Sequence, residues 1–201
     1  MIVKEEKIKR KERKRERMLE VAAELFSKKN YHEVMMDDVA KLISVAKGTV
    51  YNYFTSKEEL YFTIMHTRME SLLALLKQKI ESEQNSIDSL RAFVVHLYMF
   101  MMKHRKFFLI YQRETLNGSN SFCEDLISLE KQMKQMIMQI ILRGEKEGIF
   151  RKVDEEFAIS LIFGSIYGAV QRGINSNLQN ESVIKEKEEI FDFVLHGLYS
   201  G

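Results

Sequence analysis

The chain has no proline, only nine glycines among 201 residues, and a single cysteine, Cys123. Proline and glycine mark most tight turns, so their scarcity favours long helices joined by short connections. One cysteine cannot form an internal disulfide framework or a cysteine-rich zinc site, and we expect an ordinary reduced thiol. Alternating runs of the kind that form strands are also absent. The sequence therefore predicts an all-α fold.

The sequence also lacks the segments that mark secreted and membrane proteins and the motifs of several enzyme classes. The N-terminus is charged from Lys4 onward, unlike a secretory signal. The longest apolar runs, AFVVHLYMFMM and FAISLIFGSIYGAV, are shorter than the roughly 20 residues that span a bilayer. No G-x-G-x-x-G, P-loop or H-E-x-x-H motif occurs, nor a paired Cys or His spacing. We expect a cytoplasmic protein with no catalytic residues, no metal site, no cofactor and no membrane partner.

Positive charge is concentrated at the N-terminus, although the whole chain has a net charge of only +2. Residues 1–20 contain nine Lys and Arg against five Glu, whereas the remainder contains 22 basic and 24 acidic residues. The basic leader, residues 1–17, favours a polyanionic partner. It fits the phosphates or the minor groove of a duplex, and RNA, an anionic membrane or a solvated tail are the alternatives. Membrane insertion is disfavoured because the leader has no aromatic residue.

Apolar residues at helical spacing predict short helices followed by a longer one. The first helix is expected over about 6–29, with a first half that is polar on all sides. MMDDVAKLI predicts a short second helix, and SVAKGTVYNYF follows after a very short break, which makes a helix-turn-helix pattern over about 36–54. Ser56 and Glu59 have the spacing of a capping box, which predicts a long helix over about 56–82. Five further helices are predicted after it.

Two of the later helices have the composition of a subunit interface. FAISLIFGSIYGAVQRG is apolar on nearly every side, and Gly164 and Gly168 permit close approach of a second backbone. The last helix contributes a row of apolar residues: Ile184, Phe191, Val194, Leu195 and Leu198. Packing within a single chain is the alternative use of these side chains.

The segment DDVAKLISVAKGTVYNYFTSKEELY, with AAELFSKKNY before it, resembles the N-terminal domain of the TetR (tetracycline-repressor-like) family of transcription regulators. The resemblance covers about residues 18–62. It implies an N-terminal three-helix DNA-binding domain over 1–55 and a larger helical domain for ligand binding and dimerisation over 56–201. The residues that fall in register with the family pattern are Val45, Gly48, Tyr51, Tyr53, Phe54, Lys57, Glu58 and Leu60.

Four positions depart from the family pattern. Asn30 stands where glycine is usual after the first helix, and we expect it to adopt the left-handed conformation that asparagine tolerates. Ser44 replaces the glycine of the turn. Met35 and Ala46 replace hydroxyl residues that would cap the second and third helices, and a lost cap costs about 1 kcal/mol.

The resemblance identifies residues 47–53 as a recognition helix, which enters the major groove of operator DNA. The residues expected to contact DNA are Lys47, Gly48, Thr49, Tyr51, Asn52, Tyr53 and Lys57. Thr49 and Tyr51 combine hydroxyls with apolar surface suited to thymine methyl groups or phosphates. Lys47 and Lys57 can neutralise phosphates. Phe54 is expected in the core, and packing of the tyrosines between helices is the alternative to DNA contact.

The middle helices are rich in Phe, Tyr and Met, which can line an apolar ligand pocket or form a plain helical core. The residues expected at such a pocket are His96, Met99, Phe107, Phe108, Tyr111, Gln112, Met136, Tyr167 and Gln171. By resemblance, we expect a homodimeric repressor, paired through its last two helices. A small apolar or amphipathic effector, such as a fatty acyl thioester or a drug, would tilt the long helix and release the operator.

Replacing Thr49 and Tyr51 together by alanine should abolish sequence-selective retention of a duplex on a gel. Base-edge contacts are worth about 1–3 kcal/mol of discrimination each, so selectivity should fall at least about tenfold. Circular dichroism of the variant checks that the fold is retained. Unchanged selectivity would contradict the assignment of residues 47–53 to base reading.

Overall fold

The computed structural model describes residues 2–116 and 124–200, with the side chains of 2–4, 115 and 116 outside that description. Cys123 lies outside the described residues. Regular structure within them is helical, apart from one antiparallel bridge between Phe150 and Tyr199. The all-α prediction is confirmed. The α-helices are α1 (Ile2–Lys28), α2 (Met36–Leu42), α3 (Lys47–Tyr51), α4 (Lys57–Glu81), α5 (Ser86–Lys103), α6 (Arg105–Leu116), α7 (Glu124–Lys146), α8 (Glu155–Asn175) and α9 (Asn180–Leu198), with a 3₁₀ turn at Tyr31–Glu33.

The chain packs as two compact units. The first comprises Met1–Arg68 and Lys106–Ser121, and the second comprises Met69–Arg105 and Phe122–Gly201. Helix α4 therefore begins in the first unit and ends in the second, and the chain returns to the first unit for most of α6. The domain ranges 1–55 and 56–201 were assigned by expected function, and they remain a prediction. The two compact units have different boundaries.

The first unit is built on the second half of α1. Met18, Ala22 and Phe26 recur every four residues and are fully buried, so this half of the helix forms core. Residues 5–17 include no buried side chain. The helix begins four residues earlier than expected, which makes residues 2–17 of the basic leader helical. The leader and the core segment therefore form one continuous helix.

Polar contacts join α6 to the C-terminal end of α1. Arg113 donates to the backbone carbonyl oxygen of Phe26 at 2.6 Å, close to the helix end, where carbonyls lack helical partners. Lys28 and Lys106 donate to the Glu24 carboxylate at 2.8 and 2.9 Å. These contacts lower the pKa of Glu24 to about 2. Charged groups on two helices thus hold the end of α1 in place.

Helix α5 is the centre of the second unit. Twelve of its 18 residues are buried, and α7, α8 and α9 all pack against it. The carboxylate of Glu186 on α9 is buried, and it accepts hydrogen bonds from Tyr98 on α5 and Arg172 on α8. Burial raises the pKa of the Tyr98 hydroxyl. A buried carboxylate without partners would be costly, so this group connects three helices.

Helix α7 is followed by a tight reversal against its own last turns. A Cβ atom at Gly144 would lie 2.0 Å from the Phe150 ring. Gly148 has a φ of 72°, the left-handed conformation with which many helices end. The Phe150 ring therefore occupies the space that a side chain at Gly144 would need.

Replacing Gly144 by alanine should lower the free energy of unfolding by about 1–3 kcal/mol, because the new methyl group overlaps the Phe150 ring. Gly48→Ala is the matched control, because no atom outside its own helix turn lies within 4 Å of a Cβ at that helical glycine. Urea unfolding followed by circular dichroism measures both. Equal loss of stability in the two variants would contradict the close contact.

Candidate nucleic-acid interface

Helices α2 and α3 are separated by a four-residue turn that is closed by backbone hydrogen bonds. The amide of Val45 donates to the carbonyl oxygen of Ala40 at 3.0 Å, and the amide of Ser44 donates to the carbonyl oxygen of Lys41 at 3.1 Å. This pair of bonds is the Schellman motif, whose central residue adopts the left-handed conformation. Ser44 has a φ of 56° and occupies that place. A residue with a Cβ costs roughly 1–2 kcal/mol there, which explains why glycine is usual at this position.

The other departures from the family pattern have different structural outcomes. Met35 and Ala46 make no side-chain cap, as their residue types require. The left-handed conformation expected for Asn30 is wrong, because its φ and ψ are −66° and 155°. Its amide donates to the Glu33 carboxylate at 2.8 Å and begins the 3₁₀ turn. Asparagine therefore replaces glycine here without needing a positive φ.

Two buried side chains hold α3 in place. Val50 and Phe54 are both fully buried, so the core position expected for Phe54 is confirmed. Helix α3 ends at Tyr51 and Asn52 is its C-cap residue, so the expected range 47–53 is two residues too long. A helix of five residues is not stable alone, and its position therefore depends on this anchor.

The residues expected to contact DNA lie on α3, directly after it, or at the start of α4. Gly48 has no atom outside its own helix turn within 4 Å of a Cβ position, so its surface is open. Tyr51 is 41% exposed, which disfavours the alternative that its ring fills the core. Thr49 and Tyr53 are half-buried, whereas Lys47 and Asn52 are exposed. The open surface of α3 thus carries hydroxyl, amide and ammonium groups.

Lys47 is paired with an acidic residue of α2. Its ammonium lies 2.7 Å from Asp37 Oδ1 and 5.9 Å from the centre of the Tyr51 ring. The hydrogen bond with Asp37 raises the pKa of Lys47. Both side chains are exposed, so the pair is weak and a phosphate can replace Asp37. In the free protein, the Asp37 carboxylate opposes the approach of a phosphate.

Lys57 has a structural role that its sequence position did not indicate. Its ammonium donates to the Tyr31 carbonyl oxygen at 2.9 Å and lies 4.3 Å from the centre of the Tyr31 ring. Burial raises the pKa of the Tyr31 hydroxyl to about 12. An ammonium has three donors, so Lys57 can still meet a phosphate while it holds the α1–α2 connection.

The start of α4 is capped, although not by the reciprocal pair that was expected. The Ser56 hydroxyl accepts from the Glu59 amide at 3.1 Å, which is half of a capping box. The Glu59 carboxylate accepts instead from the amide and hydroxyl of Thr55, at 2.6 and 2.7 Å. These bonds lower the pKa of Glu59. The turn between α3 and α4 is therefore fixed from both sides.

Two basic residues of α1 lie next to the segment that follows α3. The Lys11 ammonium is 5.9 Å from the centre of the Tyr53 ring, and the Arg15 guanidinium carbon is 5.2 Å from that of Phe54. Both residues belong to the basic leader, but sequence reasoning did not place them beside the end of α3. A signal was available, because positions 11, 15, 18 and 22 share one face of a helix whose later members are core.

The nine residues expected at a ligand pocket are divided between the two units. Of the four residues in the first unit, three are buried and Gln112 is half-buried. All five residues in the second unit are half-buried. A pocket formed by all nine remains a prediction. The first unit contains Phe107, Phe108, Tyr111 and Gln112, and the second contains His96, Met99, Met136, Tyr167 and Gln171.

One groove of the second unit combines apolar and polar lining. It has a volume of about 600 Å³, lies between α4, α5 and α7, and includes Met136 from the predicted set. Ser89, at its wall, is buried, and its hydroxyl has no hydrogen-bond partner among the described residues. Arg143 and three glutamines of α7 supply further polar groups: Gln132, Gln135 and Gln139. This lining suits an amphipathic molecule.

A second groove of about 540 Å³ lies on α8 and α9 and is largely apolar. Phe157 and Leu161 of α8 are 65% and 56% exposed, and Phe193 of α9 is 70% exposed. Gly164 and Gly168 continue the row along α8, and a Cβ at either would meet no atom outside its own helix turn. Large apolar side chains exposed as a group mark an interaction surface.

The buried face of α9 differs from the interface face expected from sequence. Three of the apolar residues expected at the interface are buried within the second unit itself: Phe191, Val194 and Leu198. Phe193, which lies between two of them in sequence, is 70% exposed, and Ile184 of the expected set is 53% exposed. Helix α8 is long and apolar enough to cross a membrane, but the core helix of a soluble protein can have the same length and composition. Its inner face, including Ile162 and Ile166, is buried in the second unit.

Helix α3 is short, has one exposed side, is held by two buried side chains and follows α2 after a tight turn. This is the arrangement of a helix-turn-helix DNA-binding protein. Residues 18–64 match the family model "Bacterial regulatory proteins, tetR family". Residues 83–171 match "Tetracyclin repressor-like, C-terminal domain". The chain belongs to the TetR family of DNA-binding transcriptional regulators, and the resemblance of the helix-turn-helix segment is confirmed.

Relatives cover the chain well beyond the helix-turn-helix. The transcriptional repressor KstR2 of Mycobacterium tuberculosis is 25% identical over 142 residues, 69% of this chain and 70% of KstR2. The structure of the ketosteroid transcriptional regulator KstR2 of the same organism has a TM-score of 0.82 at 21% identity, covering 94% of this chain and 96% of that one. The regulator FadR from Bacillus subtilis, in complex with stearoyl-CoA, has a TM-score of 0.73 at 19% identity, covering 91% and 98%. The structural similarity shows a shared fold.

Replacing Asp37 by asparagine should strengthen DNA binding about two- to five-fold, because the change releases Lys47 from a surface ion pair worth up to about 1 kcal/mol. Asp38→Asn is the matched control, since the nearest cation to Asp38 is Lys29 at 3.9 Å. Fluorescence anisotropy with a labelled duplex measures both affinities. The same gain in both variants would show that Asp37 does not hold Lys47 away from phosphate.

Proposed function

We propose that this protein is a cytoplasmic repressor that binds operator DNA as a homodimer and releases it when an apolar or amphipathic small molecule binds. Regulation of transcription through DNA binding follows from the family. The observation that carries the rest is an outward-facing α3 in one unit together with an exposed apolar surface on α8 and α9 in the other. The apolar surface on α8 and α9 would be costly to leave in water without a partner.

The open side of α3 is suited to the major groove. Thr49 and Tyr51 reach base edges, and Gly48 permits close approach of the helix backbone to the duplex. Lys47 moves from Asp37 to a phosphate when DNA binds. Asn52 and Tyr53, at the end of the helix, contact the border of the groove. Lys57 keeps its hydrogen bond to the Tyr31 carbonyl oxygen and donates a second one to a phosphate.

Two copies are needed because a single recognition helix reads only a few base pairs. A dimer with twofold symmetry reads two half-sites, about 34–36 Å apart or a multiple of that distance. Phe157, Leu161 and Phe193 supply apolar contacts, and Gly164 and Gly168 permit the two copies of α8 to pack closely. Paired α8 and α9 helices then form a four-helix interface.

The groove beside α4, α5 and α7 supports an amphipathic effector. Met136 adapts to irregular apolar shapes, while the Ser89 hydroxyl and Arg143 offer polar contacts. KstR2 is described as a ketosteroid regulator, and FadR was solved with stearoyl-CoA. Both relatives are thus associated with molecules that have a large apolar part. A ligand in the groove would contact the end of α4 and shift the population of dimers away from the DNA-binding form.

Replacing Leu161 and Phe193 together by glutamate should convert the dimer to monomer, because four charges per dimer would enter an apolar interface. Ile127→Glu is the control, since Ile127 is 55% exposed on α7, outside the groove on α8 and α9. Analytical ultracentrifugation gives the oligomeric state, and circular dichroism gives the fold. A double variant that stays dimeric would show that the interface lies elsewhere.

Stearoyl-CoA or a 3-ketosteroid should lower the affinity for an operator about 5- to 150-fold, the usual range of allosteric coupling. The operator is first selected from genomic fragments, including the DNA upstream of the protein's own gene. Anisotropy then follows its release as each compound is added. Met136→Trp, which fills the groove, should keep the DNA affinity and lose the response. No response to either compound would contradict the effector class and leave DNA binding intact.

A further inference from the structure

Residues 2–17 of the basic leader are helical and continue directly into the core half of α1. Helix α1 runs from Ile2 to Lys28 without interruption, and its second half is fixed in the core by Met18 and Phe26. Residues 5–17 extend from this anchor for about 20 Å at 1.5 Å per residue. A helix more than 10 Å wide does not enter a minor groove of about 6 Å. The leader therefore has a fixed direction set by the core.

The charges of this helix are segregated onto two faces. A period of 3.6 residues places Lys7, Arg10, Lys11 and Lys14 on one side with no acidic residue among them. The opposite side carries Glu5, Glu6, Glu12 and Glu16 together with Lys9 and Arg13. The first face has four positive charges, and the second has a net charge of −2. The net charge of the leader hides this asymmetry.

The basic face has a defined position relative to α3. Lys11 is a member of that face, and its ammonium lies 5.9 Å from the Tyr53 ring. Arg15, one turn further along, has its guanidinium carbon 5.2 Å from the centre of the Phe54 ring. Tyr53 and Phe54 directly follow Asn52, the C-cap of α3. The basic face therefore runs beside the end of the recognition helix.

We propose that the basic face of the leader helix, Lys7, Arg10, Lys11 and Lys14, binds the phosphates that border the major groove entered by α3. This inference rests on the proposed docking of α3 and adds a second, sequence-independent contact to it. Phosphate contacts of this kind fix register and supply affinity, whereas α3 supplies selectivity. The opposite face remains in solvent, where its glutamates and basic residues offset one another.

Two double variants with equal loss of charge test this assignment. Lys7→Gln with Lys14→Gln removes two charges of the basic face, and Lys9→Gln with Arg13→Gln removes two from the opposite face. Binding to a selected operator is measured across a series of KCl concentrations. The first variant should reduce the slope of log K against log salt by about 3–4 per dimer, at about 0.9 per phosphate, and the second should change it by less than about 1. Equal changes in the two slopes would overturn the proposal.

A proline at position 12 tests whether the helix itself is needed. Glu12→Pro keeps every basic residue but breaks the helix between Arg10 and Arg13. It should reduce the salt slope as the basic-face variant does, with selectivity for the operator retained. An unchanged slope would show that the leader acts as a flexible arm, which would overturn the proposal.

The outcomes separate this inference from the proposed function. If the wild-type protein selects no operator, the docking of α3 fails before the leader is tested. If the wild-type protein is selective and the two double variants behave alike, only the leader assignment fails. The same proteins are assayed on a single-stranded RNA and on phosphatidylserine vesicles. Loss of RNA or vesicle binding by the basic-face variant with unchanged duplex affinity would assign the face to that partner and overturn the proposal.

Discussion

Burial of Val50 and Phe54 is the constraint on which the proposed DNA-reading surface depends. Helix α3 has five residues and forms too few internal hydrogen bonds to be stable alone. Complete burial of these two side chains contributes about 1.5–3 kcal/mol each, enough to fix the helix on the unit. Because they lie one turn apart, they hold one side of α3 down and turn the opposite side outward. The left-handed Ser44 and the capped start of α4 then set where the helix begins and where the chain leaves it.

Helix α4 gives this surface a connection to the rest of the chain. Its first residue, Lys57, holds the Tyr31 carbonyl and ring, and its last turns line the groove of the second unit. Helix α4 has 25 residues. In the second unit, the buried Glu186 connects α5, α8 and α9.

The fold and the helix-turn-helix segment were largely predictable from sequence, because both depend on local patterns. Helical periodicity, the scarcity of turn residues and the motif around Tyr51 gave the helices and the buried place of Phe54. The conformation of Asn30 was predicted wrongly, because a local backbone hydrogen bond to Glu33 set it. The contacts of Lys57 with Tyr31 and of Lys11 with Tyr53 were missed because they depend on how separate helices cross.

The α8–α9 surface shows a second limit of sequence reasoning. An apolar helix sequence predicts burial, but it does not distinguish the face that packs inside the chain from the face that a second subunit would cover. Phe191, Val194 and Leu198 pack inside the unit, while Phe193 is exposed between them. Similarly, richness in Phe and Met did not distinguish residues of the first unit, such as Phe107, from Met136 in the groove of the second.

Methylation protection of guanine N7 atoms tests the central claim most directly, because those atoms lie on the floor of the major groove. The protein is bound to DNA from upstream of its own gene and treated with dimethyl sulfate. Two protected patches on one side of the duplex, one helical turn of about 34–36 Å apart or a multiple of it, are expected for paired α3 helices. Protection confined to adenine N3 in the minor groove, or to a single patch, would contradict the docking of α3.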